Sequence, residues 1–445
     1  MRRALFGLSL AFAVALPRVA SANPMDAFGF GSRGPAMGGA VAADVSDVSA
    51  GYYNPAGLAR APGIELSVGY FRATHYLKTN DRDNQVDPVS GLVGGILLPG
   101  KVLGIPVAFG VAVHLPDDRI SRVRALRQEQ VRWELYDNRN QRLFLAANLA
   151  ISPWPWLQLG GGISFMSSTA GRLDITGSAN IFNATQSQLR HEVDAYLTAV
   201  RYPQLGARVE LSKRAALAVV YRGEFRLELD LKAHLYGDLS QLTTAYYALA
   251  AYSINAFLPQ QVVFGGAFRP IDRVRVNADL TWVNWGAYIP PVATLTADLD
   301  IPPPQGGWPP GINPPSKPTP NTIAPSLFRD RIVPHVGVEV TVLDLPHWEV
   351  DVRGGYEWAR TPIGAQTGVT NYLDRDRHSF SLGAGVKLMN PGPFFPGDLR
   401  LDFHTTFGWL PSSVTTKSDP ADLVGDYSAG GTIWSGGVNL AAGFR

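Results

Sequence analysis

The sequence predicts an all-β protein, a membrane-spanning antiparallel β-barrel of about 14 strands that is plugged by an N-terminal hatch. Three observations support this prediction. Apolar and polar residues alternate along about 14 segments, most of them near the roughly 10 residues that a tilted membrane strand needs. The connections between these segments are alternately short and long. A segment rich in Gly and Ala, poorly suited to a regular strand or helix, precedes the first of them.

The first 22 residues are predicted to be a secretory signal peptide. Arg2 and Arg3 form its positive region, residues 4–16 are apolar, and Ala20-Ser21-Ala22 forms a cleavage site, so the mature chain would start at Asn23. The alternative is a membrane anchor, but the apolar run is shorter than the roughly 18 residues that a membrane helix needs. Because we find no other apolar run of that length, the exported chain is either soluble in the periplasm or a β-barrel.

The composition narrows the class of protein further. The chain has 0 Cys, which excludes a disulfide framework and a thiolate metal site. Its net charge of +2 argues against a nucleic-acid partner. With 46 Gly, 34 Pro and 10% aromatic residues, it fits a turn-rich barrel with aromatic girdles. The length would also suit two or three globular domains, and the strand pattern favours the single barrel.

The hatch is predicted to comprise residues 23–61, and the barrel residues 62–445. Small residues such as those between Gly29 and Ala40 suit a segment threaded through a confined space, where backbone approaches backbone. Within the hatch, Pro55 fixes its own φ and biases Asn54 away from helix, and the Asn54 amide can lock a turn inside a polar lumen. We therefore single out Asn54, Pro55 and Ala56 as hatch residues; the alternative is an ordinary surface turn.

The strand pattern is clearest between Tyr221 and Lys232. Tyr221, Gly223 and Phe225 begin one predicted face, and charged residues of both signs occupy the other face, as expected for a wet lumen. The predicted strands cover approximately residues 64–74, 90–98, 105–114, 141–152, 156–174, 194–211, 214–236, 260–269, 273–286, 331–343, 348–360, 378–389, 398–410 and 431–444. The short connections would face the periplasm and the long ones the exterior.

The long connection Gly237–Pro259 is a candidate ligand-binding element. Four of its apolar residues have helical spacing and would form an exposed apolar face that needs a cover: Leu239, Leu242, Tyr246 and Leu249. The alternative is that this face packs on a neighbouring loop. The connection Ala287–Asp330 is dense in Pro and is predicted to be an extended external cap.

Arginines on the predicted lumenal faces could hold a ligand carboxylate. They are Arg208, Arg222, Arg226, Arg275, Arg353 and Arg400, and we take Arg222, Arg226 and Arg353 as the candidate ligand-binding set. Acidic residues lie on the same predicted faces: Glu224, Glu228, Asp279 and Glu357. Their presence favours the alternative, a structural ladder of opposite charges.

The sequence contains none of the enzymatic motifs that we sought, neither H-E-x-x-H, nor a phosphate loop, nor G-x-S-x-G. The 8 His residues are scattered, which argues against a metal site. Ser379 and His378 are neighbours whose side chains point to opposite faces of a strand, so they cannot form a catalytic pair. We predict a protein that is not an enzyme and needs no metal or cofactor.

Three parts of the chain resemble one known family. They are the hatch with Asn54-Pro55-Ala56, the pair of segments Leu258–Pro270 and Val276–Trp285, and the late segments around Thr361-Pro362, Leu373–His378 and Ser381–Gly385. In this order they resemble the FadL-type outer-membrane transporters of long-chain fatty acids and other hydrophobic compounds, a family that also includes the toluene-uptake proteins of TodX type.

The resemblance implies a fourteen-stranded barrel with a hatch, external loops that form an apolar capture groove, and passive uptake across the outer membrane. The implied cargo is long-chain fatty acids or related hydrophobic molecules; the alternative is aromatic hydrocarbons. An outer-membrane enzyme or a structural surface protein remains a further alternative. The implied partners are outer-membrane lipid and lipopolysaccharide, and the barrel assembly machinery during biogenesis; the expected state is a monomer with no nucleic-acid partner.

Overall fold

The computed structural model describes residues 24–118, 127–136, 142–179, 188–239, 243–290, 292, 294–303, 305–307, 323–391 and 397–444. The predicted signal peptide lies outside the described residues, as does Leu242. Short helices form the start of the described chain: α1 (Pro24–Phe28), α2 (Arg33–Ala36), α3 (Ala50–Tyr53) and a 3₁₀ turn over Pro55–Arg60. After residue 63, most of the described residues lie in strands.

The strands, in chain order, are β1 (Ile64–Thr79), β2 (Arg82–Asp83), β3 (Val89–Val102), β4 (Ile105–Pro116), β5 (Arg132–Trp133), β6 (Phe144–Trp154), β7 (Leu157–Ala179), β8 (Gln188–Ser212), β9 (Ala215–Arg222), β10 (Phe225–Leu239), β11 (Thr243–Leu258), β12 (Gln261–Ile271), β13 (Val274–Val283), β14 (Thr294–Asp300), β15 (Arg331–Asp344), β16 (Trp348–Ala359), β17 (Tyr372–Leu373), β18 (Arg377–Met389), β19 (Gly397–Thr415) and β20 (Tyr427–Phe444).

Fourteen of these strands form a closed antiparallel barrel, which confirms the predicted fold class and strand number. The order around the wall is β1, β3, β4, β6, β7, β8, β9, β12, β13, β15, β16, β18, β19 and β20. The last strand pairs with the first, from Ile64↔Phe444 to Thr79↔Ala429, and this pairing closes the wall. Closure leaves no free edge, so each wall strand can satisfy its backbone groups through two neighbours.

Side chains of the wall strands alternate between an apolar outer face and the lumen. In β18, Phe380 and Leu382 point outward and Leu382 is 66% exposed, whereas Ser379 and Ser381 are buried on the inside. Trp154 and Trp156 stack beside the turn between β6 and β7, with ring centroids 5.7 Å apart. An apolar outer face with aromatic rings at its border is what a bilayer requires of a barrel. Among the described residues, no helix is both long enough and apolar enough to cross a bilayer.

The predicted continuous strand over residues 214–236 is wrong. The chain forms β9, breaks at Gly223-Glu224 and continues as β10, which pairs with β11 and with part of β7. At the break, the Gly223 amide donates to the Pro203 carbonyl at 2.7 Å. A Cβ on Gly223 would lie 2.6 Å from Pro203 Cδ, so the close approach needs a glycine.

The break also corrects the predicted strand faces. Phe225 is only 1% exposed and packs edge-on against Tyr202, with ring centroids 5.9 Å apart, so it does not face lipid. Gly223 is buried too, whereas Leu217 and Val219 of β9 are exposed on the outer face. Exposed and buried side chains alternate regularly within β9. The irregular residues after Arg222 shift this alternation, so Gly223 and Phe225 do not lie on the predicted outer face.

The helical spacing in residues 237–259 predicted the wrong element. These residues belong mainly to the β10–β11 hairpin, in which Tyr246 pairs with Tyr236. β11 gains a second partner in β14, where Tyr246 pairs with Asp300. Pairing with β10 along one edge and, over Tyr246–Tyr252, with β14 along the other satisfies backbone groups of β11. The pairing with β14 is distant in sequence, and local spacing does not report it.

The two ends of the barrel differ. The short-turn end carries the turns β3–β4, β6–β7, β8–β9, β12–β13 and β15–β16, together with the end of the described chain at Phe444. At the opposite, long-loop end, β5 and β17 pair with each other and thereby join two loops. The predicted external cap contains β14, and its Pro-rich part between residues 308 and 322 lies outside the described residues.

Candidate functional site

Residues 24–61, which we call the hatch, lie inside the barrel. Met37, Asn54 and Leu58 are each 0% exposed, although they belong to short helices and turns that could not form a core of their own. Irregular backbone in a confined space needs partners for its amides and carbonyls. The barrel wall supplies them.

Polar side chains on the inside of the wall hold the backbone of the hatch. Five wall residues donate to hatch carbonyls: Asn148 to Gly51, Gln204 to Tyr52, Arg208 to Ala43, Arg222 to Tyr52 and Tyr53, and Asn277 to Ala40, at 2.7–3.1 Å. In the opposite sense, the Ala42 amide donates to Asp279 Oδ2 at 2.9 Å, and the Val48 amide donates to Glu65 Oε1 at 3.0 Å. These contacts come from β1, β6, β8, β9 and β13, so the hatch is held on several sides.

Asn54, Pro55 and Ala56 form the turn that ends α3. Asn54 Nδ2 donates to the Ala42 carbonyl at 2.7 Å, and its Oδ1 accepts from the Ala56 amide at 3.0 Å. The residue caps the following 3₁₀ turn and ties it to an earlier part of the hatch. Pro55 stands at the start of that turn, where its missing amide costs no hydrogen bond. The structure thus brings the three predicted hatch residues together at a buried turn.

Glycines of the wall let the hatch backbone come into contact with the barrel. A Cβ on Gly160 of β7 would lie 2.4 Å from the Ala56 amide nitrogen, so any side chain there would displace the turn. On the other side of the lumen, Gly38 of the hatch has φ +63° and a Cβ there would lie 2.7 Å from the Tyr356 amide nitrogen. The two contacts brace the hatch between opposite walls.

A network of buried charges joins the hatch to the wall near the short-turn end. Glu339 of β15 accepts from three guanidinium groups: Arg33 of the hatch at 2.9 Å, Arg353 at 2.6 Å, and Arg275. Arg353 is 1% exposed and also binds Asp351 at 3.1 Å and Asp402 at 2.7 Å. Each charge in this network is compensated by neighbours, as burial requires.

Arg33 also binds a carboxylate within the hatch. Its Nη2 lies 2.6 Å from Asp44 Oδ2. Burial alone would raise the pKa of Asp44, but the Arg33 guanidinium and then that of Arg275 outweigh it and hold this pKa below its usual value. The pair therefore contributes fully at neutral pH, and its contribution is lost as the pH falls through that lowered pKa.

A cavity of about 130 Å³ lies between the start of the hatch and the wall on the long-loop side. Its lining is apolar in part, with Met25, Phe28, Trp285 and Val333. The rest is polar and includes the guanidinium groups of Arg222, Arg331 and Arg377 together with Asp26, Asp279, His335 and Glu357. Burial raises the pKa of Asp26, against the opposing effects of Arg222 and of the Tyr52 hydroxyl, which donates to Asp26 Oδ1 at 2.6 Å.

An aromatic cluster adjoins this cavity at the long-loop end. Phe257 stacks on Trp285 with centroids 5.2 Å apart, and Tyr288 stacks on Phe328 with centroids 3.9 Å apart. Tyr372 meets Phe328 edge-on at 5.4 Å. All five side chains are buried, and Trp285 belongs to both the cluster and the cavity lining. Trp285 thus connects the buried aromatic cluster to the partly polar cavity.

The structure separates the arginines that the sequence grouped together. Arg222 lines the cavity, but its Nε and Nη2 hold hatch carbonyls and its guanidinium lies over the Tyr52 ring at 4.6 Å. Arg353 lies in the charge network and not in the cavity lining. For Arg226 the structure describes only the backbone, in β10. Arg208, Arg275 and Arg400 all make ion pairs with carboxylates.

The predicted apolar loop residues are not brought together into a helical face. Leu239 lies at the end of β10, while Tyr246 and Leu249 lie on β11, and Tyr246 is exposed. Sequence reasoning missed Arg331 and Arg377, which begin β15 and β18 and line the cavity. It also missed Gln204 and Asn148, whose side-chain amides hold the hatch. In the sequence they are marked only as polar residues among small ones on the inner face of a strand.

A closed barrel that contains its own N-terminal segment defines a class of protein, the plugged barrel transporters. A family model described as "Outer membrane protein transport protein (OMPP1/FadL/TodX)" matches residues 145–430. The chain belongs to this family. It is an outer-membrane transporter of hydrophobic compounds, and both fatty acids and aromatic hydrocarbons fit the family. The short-turn end is then the periplasmic end.

Solved structures share the fold of the chain at low sequence identity. A FadL homologue of Pseudomonas aeruginosa aligns with a TM-score of 0.59 and 13% identity, over 94% of this chain and 98% of that one. The Pseudomonas putida toluene transporter TodX aligns with a TM-score of 0.53 and 14% identity, over 94% and 99%. A search of curated protein sequences gave no significant match. At such identities the likeness extends to the fold alone.

Proposed function

We propose that the protein takes up long-chain fatty acids through the barrel and that the hatch gates their passage. The observation that carries this proposal is the mixed lining of the cavity beside the hatch, which offers an apolar surface and buried guanidinium groups to one ligand. A fatty acid has both an apolar tail and a carboxylate, whereas a hydrocarbon has only the first.

Two arginines are suited to the carboxylate. Arg331 Nη1 donates to the Arg360 carbonyl at 3.1 Å, and its Nε is buried without a hydrogen-bond partner among the described residues. Arg377 pairs with Glu357 at 2.5 Å, and its Nε is also unpartnered in the described part of the chain. A buried donor without a partner is costly, and an incoming carboxylate would satisfy it with a charge-assisted hydrogen bond.

The tail would lie along the aromatic cluster defined above. Trp285 borders both surfaces, so a carboxylate at Arg331 places the first methylene groups beside an indole ring; the Arg331 guanidinium lies 5.7 Å from the centroid of that ring. Burying one methylene group contributes about 0.8 kcal/mol, so a long tail contributes far more than the head group. The head group would set orientation and selectivity.

A second cargo, a small aromatic hydrocarbon, is favoured by the aromatic cluster itself. Five buried rings in stacked and edge-on contact form a surface that another ring can join. The fold is also that of a toluene transporter, TodX. In this alternative the guanidinium groups would only stabilise the folded structure and would not bind the cargo.

Replacing Arg331 by Gln separates the two cargoes. Because Gln keeps polarity but lacks the charge, we expect oleate uptake by cells that express the variant to fall at least tenfold, with toluene uptake unchanged. The matched control is Arg329→Gln, an exposed residue two positions earlier. Unchanged oleate uptake, or an equal loss for both cargoes, would contradict recognition of a carboxylate at Arg331.

The remaining partners of the proposed transporter follow from its surface. The exposed apolar side chains of the wall would contact outer-membrane lipid and lipopolysaccharide, and the closed barrel would be inserted by the barrel assembly machinery. We propose that the protein works as a monomer, since one barrel with its own hatch supplies all the residues that line the cavity.

A further inference from the structure

A second cavity, about 120 Å³ in volume, lies at the periplasmic end, in the seam between the hatch and the wall formed by β8, β9, β12 and β13. We call it the seam pocket. Six cationic side chains line it: Arg60, Arg208, Lys213, Arg214, Arg269 and Arg275. Only two carboxylates, those of Asp44 and Glu210, are in its lining. The pocket therefore has an excess of positive charge.

A neighbouring cavity shows that part of this excess is local. It is about 300 Å³ in volume and lies under the hatch on the side of β1 and β19. It shares Asp44, Arg60, Arg269 and Arg275 with the seam pocket. Its lining balances six cationic side chains against six carboxylates. The charged residues that line the seam pocket alone are three cations, Arg208, Lys213 and Arg214, and one carboxylate, Glu210. Part of the excess positive charge therefore belongs to the seam pocket itself.

Ion pairs neutralise only part of the charge of the seam pocket. Arg208 pairs with Glu210 at 3.2 Å, Arg214 with Asp272 at 3.6 Å, and Arg275 with Glu339. Asp44 binds Arg33 at 2.6 Å and lies 3.8 Å from Arg269. Arg60 donates to the Asp44 carbonyl at 3.4 Å.

Arg275 Nε is buried without a hydrogen-bond partner in the described part of the chain. The pKa of Arg60 is lowered to about 10, first by burial and then by the Arg208 guanidinium. Arg60 and Arg208 therefore repel one another, and Arg275 leaves one donor unused.

We propose that the seam pocket binds one oxyanion group, a carboxylate or a phosphate, between the hatch and the barrel wall. Such a group accepts several guanidinium hydrogen bonds at once and removes the excess charge. A cavity of this volume also admits several waters, each of which occupies roughly 10–15 Å³ by the same measure. The site does not depend on the uptake proposed above, because it needs only the oxyanion and not a particular cargo.

The site would couple anion binding to the position of the hatch. Arg60 belongs to the last turn of the hatch, whereas Arg269 and Arg275 belong to β12 and β13. A ligand can bridge these residues only when the hatch is seated in the barrel. It therefore binds the seated state more tightly than the displaced state and stabilises the seated state. Anion binding should therefore raise the thermal stability of the full mature protein.

The test is calorimetric titration of the purified mature protein in a non-ionic maltoside detergent with acetate, inorganic phosphate and, as a neutral probe, ethanol. We expect acetate, phosphate or both to bind and ethanol not to bind. Arg60→Gln and Arg269→Gln should each weaken the anion affinity at least tenfold. Binding of acetate alone would identify a carboxylate site, and binding of phosphate alone a phosphate site.

Two controls make the result decisive. Lys387→Gln removes a cation from the balanced cavity and should change the affinity less than twofold. Arg329→Gln, which removes an exposed cation that lines neither the seam pocket nor the cavity beside the hatch, should also leave the anion affinity unchanged. If Arg60→Gln fails to fold, Lys213→Gln in the exposed β8–β9 turn should still weaken binding measurably. Absence of anion binding to the parent protein, or equal affinity in the seam-pocket variants, would overturn the proposal.

Discussion

Deleting Asn23–Ala50 is expected to convert the transporter into an open, unselective pore. Each wall strand is paired on both edges without the hatch, so the barrel should remain folded. The deletion removes the parts of the hatch that fill the lumen beside Gly337 and Gly355 of β15 and β16. The wall side chains that held them, such as Asn277 and Asp279, are polar and can be hydrated. Conductance in planar lipid bilayers measures the result.

The deletion is informative only in a folded barrel. Heat-modifiable migration on gels establishes this, because a closed barrel resists detergent until it is heated. We expect the folded deletion variant to show a large, steady conductance and the parent a low one. A folded deletion variant with the conductance of the parent would mean that residues 23–50 do not block the lumen.

Replacing Glu339 by Gln is expected to have the largest effect of any single substitution. Glu339 accepts from Arg33, Arg275 and Arg353. The variant therefore leaves two buried guanidinium groups, those of Arg33 and Arg353, and the partly exposed one of Arg275 without their shared carboxylate. Breaking a buried pair by removing one partner costs about 3–5 kcal/mol. Urea unfolding of the protein in detergent should show a loss of stability in this range.

The variant should also loosen the hatch, because Arg33 is the hatch residue of the network. We expect more frequent conductance events than in the parent at the same voltage. Glu349→Gln, a partly exposed carboxylate on the next strand, is the matched control and should cost less than about 1 kcal/mol. Equal stability of the Glu339 and Glu349 variants would contradict a network that secures the hatch.

The barrel was predictable from the sequence because its period is simple. One face of each strand meets lipid, so alternation of apolar and polar residues identifies the strands and their number. The break at Gly223 was not predictable in the same way. It depends on the contact of Gly223 with Pro203, a residue twenty positions away on another strand, and alternation carries no information about such a contact.

The site was less predictable than the fold. Alternation places Arg222 and Arg353 in the lumen but does not reveal their partners, which are hatch carbonyls for one and three carboxylates for the other. Arg331 and Arg377 stand at the ends of their strands, where the pattern is weakest. The turn at Asn54 was easier to predict from the sequence, because Pro55 restricts the backbone locally and the turn follows from that restriction.

The central claim is that the hatch must move for cargo to pass, and a reversible tether tests it most directly. A Gly51→Cys and Ala112→Cys pair would join α3 to β4 through a disulfide. Because the chain has 0 Cys, no other thiol of the protein could interfere. A Cβ on Gly51 would lie 3.1 Å from Ala112 Cβ, close to the roughly 3.5–4.5 Å of a disulfide. We predict that the oxidised protein loses oleate uptake, that a reductant restores it, and that neither single-Cys variant responds. Equal uptake by the oxidised and reduced forms of the pair would contradict the account.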